Sequence, residues 1–196
     1  MTSILGTQSI QHPNGTASVT IASNGGVSMS GTAAITGNTT VGGTLVNTGL
    51  ITASAGVAIG GTGSANTLDD YEHGSWTPSV AGDTTYNDQR GRYVKVGDLV
   101  TLWFYIRINQ RNSPGVPYIA GGSPFTNNGS MTGSGLVHYF QSIQNSAVVL
   151  TCRIDPGGAN INISGATGNA GTVANVNHDW VGNGSEIYGF CTHYVG

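Results

Sequence analysis

Nine carboxylates, five histidines and two cysteines are the side chains here that could carry acid–base, nucleophilic or metal chemistry. Three of the acids, Asp69, Asp70 and Glu72, crowd into four residues where the composition of the chain changes. Asp98 follows a glycine and Asp155 opens a Pro-Gly-Gly turn, positions where aspartate is favoured because it hydrogen-bonds the local backbone. Asp83, Asp88, Asp179 and Glu186 remain, and no spacing pairs them as the two facing carboxylates of a glycoside-cleaving site would be paired. His178-Asp179 are adjacent, so on a strand they would point to opposite faces, and no G-x-S-x-G elbow accompanies them. Cys191 and His193 are two apart and share one strand face. In a threefold assembly three copies of His193 could meet at the axis around a metal, but a packed cysteine beside a rim histidine is the simpler reading. Cys152 and Cys191 lack C-x-x-C spacing and form at most one facultative bridge. The stretch GSMTGSG (129–135) is followed by no Lys-Ser/Thr, which makes it a loop and not a phosphate cradle. The expectation is a protein with no catalytic residues, no metal and no cofactor.

Composition narrows the class. Lys and Arg number 6 against 9 Asp and Glu, a formal charge of −3, whereas nucleic-acid binders cluster Lys and Arg to neutralise phosphates. Glycine accounts for 32 of 196 residues and charged residues for 8%, against roughly 7% and 25% in an average soluble domain. There is no apolar run of about 18 residues and no cationic, apolar leader at the start, so neither membrane insertion nor export is expected. Residues 1–68 contain no charged and no aromatic side chain; all fifteen of each lie from Asp69 onward. The chain therefore reads as 1–24, an N-terminal segment; 25–68, a repeat; and 69–196, a head.

The repeat emerges when residues 25–61 are cut into sixes. Gly25, Gly31, Gly37, Gly43, Gly49, Ala55 and Gly61 share one phase. Two residues on come Val27, Ala33, Thr39, Leu45, Ile51 and Val57, and four residues on come Met29, Ile35, Val41, Asn47, Ala53 and Ile59. Alternation of this kind places most apolar groups on one face of a strand. A disordered Gly/Ser/Thr tether has the same composition but no reason to keep phase. About six hexads give only two coils of a single-chain β-helix, too few for a repeat that buries its face against copies of itself. A homotrimeric β-stem is expected, with Gly31, Gly37, Gly43 and Gly49 at closely packed positions.

The head is expected to be all-β. Leu99–Ile108 carries Val100, Leu102, Phe104, Ile106 and Ile108 on one side and Thr101, Trp103, Tyr105 and Arg107 on the other, a strand with one wholly apolar face. Arg92–Val96 precedes it through the turn pair Gly97-Asp98. Further strands are expected at Gly135–Ile143, Ala147–Ile154, Asn160–Ser164 and Glu186–Val195, which together suggest an antiparallel β-sandwich. Tyr118, Tyr139, Trp180 and Tyr188 lie in or beside Gly/Asn/Ser-rich stretches, a mixture that suits recognition surfaces, although such rings equally suit a core or a subunit interface. The binding loops are expected at 111–135 and 167–185.

Residues 68–78, LDDYEHGSWTP, resemble the "LDDYEEGTWTP" motif that introduces the C-terminal domain of many bacteriophage tail-fibre and related virion proteins. Residues 91–101, GRYVKVGDLVT, are similar to the "GRYTKIGNLV" hairpin of that family, and Ser123-Pro124-Phe125-Thr126 to its "LPFT" turn. Residues 10–16, IQHPNGT, resemble openings found in structural proteins of marine and cyanobacterial phages. The resemblance implies a virion fibre, assembled in the host cytoplasm and attached through its N-terminus to another virion protein, with a head that adsorbs to a host surface glycan or protein. A head-decorating or connecting fibre is the alternative, because residues 25–61 span at most roughly 120 Å even when fully extended. A glycan-cleaving spike ranks third.

Overall fold

The computed structural model describes residues 9–11, 17–21, 26–29, 31–112, 118–119, 121–144, 146–168, 173–175 and 180–196. The chain divides into two units, 1–51 and 52–196. In the first, β1 (Ser9–Gln11), β2 (Ala17–Ile21) and β3 (Val27–Met29) form a small antiparallel sheet in that order.

From residue 31 to 56 there is no strand. The hexads between 31 and 56 are therefore not β-structure within one chain, contrary to the strand reading of their alternation, while the first and last hexads carry the short strands at Val27–Met29 and Val57–Ala58. Their apolar side chains are largely uncovered among the described residues: Ile35 is 62% exposed, Leu45 71% and Ile51 63%. A Cβ added at Gly31, Gly37, Gly43 or Gly49 would meet nothing within 4 Å. Among the described residues nothing crowds these glycines.

The second unit opens with a two-stranded ribbon, β4 (Val57–Ala58) and β5 (Thr67–Leu68). Nine strands then build one antiparallel sheet. They are β6 (Tyr71–Trp76), β7 (Thr84–Val96), β8 (Leu99–Arg111), β9 (Tyr118–Ile119), β10 (Gly133–Ile143), β11 (Ala147–Ile154), β12 (Ile161–Thr167), β13 (Ala174–Asn175) and β14 (Val181–Tyr194). The order across the sheet is β13-β12-β11-β10-β14-β8-β7-β6, with β9 pairing β12 beside β13. The chain is all-β and antiparallel, as the alternation predicts, but hydrogen bonding does not break into two facing sheets. The last strand, β14, inserts between β8 and β10 and pairs with both, so the hydrogen bonding runs on without a break.

Period-two alternation fixes which side of the sheet is dry. One transverse row runs Tyr93, Leu102, Cys191, Gly135, Cys152, Ile163 from β7 to β12. It belongs to a single core with Val100, Phe104, Ile106, Ile108, Leu150, Ile154, Ile161 and Ile187. The five apolar residues expected on one side of β8 are all buried. A lone sheet encloses such a core by twisting and coiling around it. The β7–β8 hairpin turns at Gly97-Asp98, with Gly97 at φ +54°, a conformation glycine adopts without strain. The turn after β11 closes by a hydrogen bond from Gly158 N–H to the Asp155 carbonyl (3.0 Å). Beneath it Asn127 is fully buried and fully bonded: its amide donates to the carbonyls of Met131 (3.0 Å) and Ile154 (2.8 Å), and its oxygen accepts from Gly129 N–H (3.1 Å).

Candidate functional site: an aromatic and basic groove

The outer face of the sheet is where side chains remain available. The row next to the one traced above reads Arg92, Trp103, Phe190, Leu136 from β7 to β10, and Trp103 is 44% exposed. One register step along, Arg90, Tyr105 and Tyr188 lie side by side. The rings of Tyr105 and Tyr188 stack with centroids 4.1 Å apart and planes 22° from parallel, and Tyr139 meets Tyr188 edge-on at 5.4 Å. Such pairs add about 0.5–1.5 kcal/mol beyond area burial. Together the three rings form a stiff platform.

Its polar groups are pinned as well. The Tyr105 hydroxyl donates to Glu186 Oε1 (2.9 Å); burial first, and then this hydrogen bond, push the phenol up, so that it stays a donor. Arg90 grips Asp88 with both Nε (3.1 Å) and Nη2 (2.5 Å) while its guanidinium sits 6.0 Å from the Tyr105 centroid. That hydrogen bond holds the Asp88 carboxyl below its ordinary value.

Arg90, Tyr105 and Tyr188 border a groove of about 550 Å³ framed by β6, β7, β8, β10 and β14, within the range of small-molecule sites. Two arginines (Arg90, Arg92) and two histidines (His73, His138) line it together with Trp103, Tyr105 and Tyr188, and no carboxylate does. Beyond Tyr188 a smaller hollow of about 350 Å³ is bounded by His138, Tyr139 and Glu186.

Compared with protein-family models, curated proteins and solved structures, the chain matches none. The groove presents flat rings beside two arginine side chains.

Two of the four aromatic residues singled out from sequence, Tyr139 and Tyr188, meet in this platform. Tyr118 stands opposite Asn162 where β9 pairs β12. Trp180 belongs elsewhere: it is 8% exposed, within the core, over Gly165, where an added Cβ would lie 2.7 Å from its ring. Polar residues precede this ring in sequence, but packing decides its fate, and it is not a surface contact. Trp180→Ala should therefore destabilise the head by about 3–5 kcal/mol, as truncating a core aromatic does; a chemical-denaturation midpoint unchanged from wild type would contradict its core role. Much of the two expected binding loops, 113–117, 120, 169–172 and 176–179, lies outside the described residues, as does His178-Asp179. Cys191 and His193 do share a face, and it is the buried one.

Sequence reasoning missed Trp103, Tyr105, Arg90 and Arg92. The signal was present in the outward half of the β8 alternation, where solvent-facing positions hold Trp103, Tyr105 and Arg107 in place of small polar residues.

Proposed function

We propose that this chain is a bacteriophage virion fibre protein that works as a homotrimer, held to the particle through its N-terminal segment and adsorbing to the host through its C-terminal head. The observation that carries the reading is how the fibre-like motifs fit together. Strand β6, inside LDDYEHGSWTP, pairs residue for residue with the first part of GRYVKVGDLVT, from Tyr71 opposite Val96 to Trp76 opposite Gly91. Phe125 of the third motif packs edge-on against Tyr93 of the second, with centroids 5.0 Å apart. Three segments separated in sequence thus act as one structural unit, as expected if they were kept together for a shared architecture.

The trimer rests on the repeat. Of the ten large apolar side chains exposed between Val27 and Ile59, eight fall at the two alternating hexad positions. Each one covered by sister chains contributes about 1.5–3 kcal/mol, offset by the entropy of ordering the backbone.

Native mass spectrometry of the full chain should give three times the chain mass, and the double variant Val41→Asp/Leu45→Asp should give monomer with the head's circular dichroism intact. A wild-type monomer at micromolar concentration refutes the stem. Antibody raised to the head should label virions at tail tips and block adsorption; labelling confined to the capsid with adsorption intact assigns the chain instead to capsid decoration.

A further inference from the structure

We propose that the groove beside the Tyr105–Tyr188 stack binds the carboxylate-bearing ring of an acidic saccharide. The inference rests on the host-adsorption reading above and gives that reading a ligand class.

Three observations carry it. First, the lining holds two arginines and, among the described residues, no carboxylate, in a chain whose net charge is −3. Second, the Arg92 guanidinium is exposed and makes no hydrogen bond or ion pair among the described residues. Arg90, by contrast, is already held by Asp88. An exposed guanidinium offers a planar two-pronged donor, the geometry that carboxylates accept. Third, Trp103 stands directly opposite Arg92 across the β7–β8 ladder with its ring partly bare. A pyranose can lay its C–H face on that indole while a ring carboxylate reaches Arg92.

The groove's size fits one or two sugar rings. An extended nucleic acid would need a track of cations along its phosphates. Among the six Lys and Arg of the chain, Lys95 is paired to Asp70 and Arg153 to Asp155, while Arg111 donates to the Val181 carbonyl. That leaves too few cations for such a track, and the saccharide is favoured.

The test is titration of the full-length protein with a panel of uronic- and sialic-acid oligosaccharides and their methyl esters, followed by tryptophan fluorescence and calorimetry. Saturable binding of at least one free acid is expected at about millimolar concentration, with its ester weaker by about tenfold. Arg92→Gln should erase the difference between acid and ester, and Trp103→Ala should weaken both. Equal affinity for acid and ester, or no saturation by about 10 mM, overturns the proposal. Binding of an oligodeoxynucleotide that is lost in Arg92→Gln overturns it too and assigns the groove to nucleic acid. These results are independent of trimer mass and virion labelling, so the ligand class can fail while the fibre reading stands.

Discussion

Replacing Gly135 by alanine should abolish the cooperative melt of the head. An added Cβ at this position would fall inside the Phe190 carbonyl oxygen and 2.7 Å from Cys191 Cα, so the clash is with the backbone of β14 and not with a side chain that could swing away. Relief requires β10 and β14 to separate along the centre of the sheet. Overpacking of a core costs typically 1–3 kcal/mol, and a backbone clash in the middle of the ladder belongs at or above the upper end. Cys152 and Cys191 report on the same event. They flank Gly135 in one row, and the Cys152 thiol donates to the Phe190 carbonyl (3.0 Å) across the place where a side chain would stand. Contact with the Cys191 thiol, reinforced by burial, pushes the Cys152 thiol up, and both cysteines are buried, so neither should react with an alkylating reagent in the native protein. Gly135→Ala should show no sharp thermal transition and should expose both thiols to alkylation. Gly97→Ala is the control: its φ of +54° costs an alanine about 1–2 kcal/mol, with nothing within 4 Å to obstruct it. A Gly135→Ala melt within a few degrees of wild type would mean that the close approach of β10 and β14 is not what holds the sheet.

How much of this was legible in the sequence depended on whether one strand sufficed to reveal it. β8 was readable because five apolar side chains recur at period two, and every one is buried. The bounds of β11, Ala147–Ile154, were read off to the residue. β6 was not seen as a strand, because its residues Tyr71 to Trp76 are mostly polar and its role as an edge strand exists only once Gly91–Val96 lies beside it. The insertion of β14 between β8 and β10 is likewise a pairing between distant segments, invisible to any local pattern. The same holds for the groove. Arg92 and Trp103 lie eleven positions apart in sequence, and only the hairpin register sets them opposite each other. The hexads present the converse case: their periodicity is plain in the sequence, while among the described residues nothing in the chain covers their apolar side chains.

Acid should weaken the head through one histidine. His193 is 2% exposed, and among the described residues neither ring nitrogen makes a hydrogen bond of good geometry, the Phe125 backbone being the one weak polar neighbour. Burial pushes its imidazole below the ordinary value of 6.5, with the Phe125 backbone opposing only in part. Among the described residues its surroundings offer no counter-charge. Val100 stands opposite on β8, Lys95 beyond it is paired with Asp70, and Gly133 on β10 presents no side chain. The folded state therefore holds this imidazole neutral while the unfolded chain takes up a proton as pH falls through about 6.5. The stabilisation is complete above that value and declines below it, until the folded-state value is reached. Asp88, whose folded value is lowered by Arg90, loses its contribution only in the more acidic range below 3.8, so the two windows separate. Thermal melts between pH 7.5 and 5 should show a falling midpoint in wild type. In His193→Leu the midpoint should stay nearly level and should start higher, by about 1–3 kcal/mol of relieved unsatisfied polar burial. Parallel wild-type and His193→Leu curves across that range would remove His193 as the source, and a wild-type midpoint rising toward pH 5 would reverse the sign of the argument.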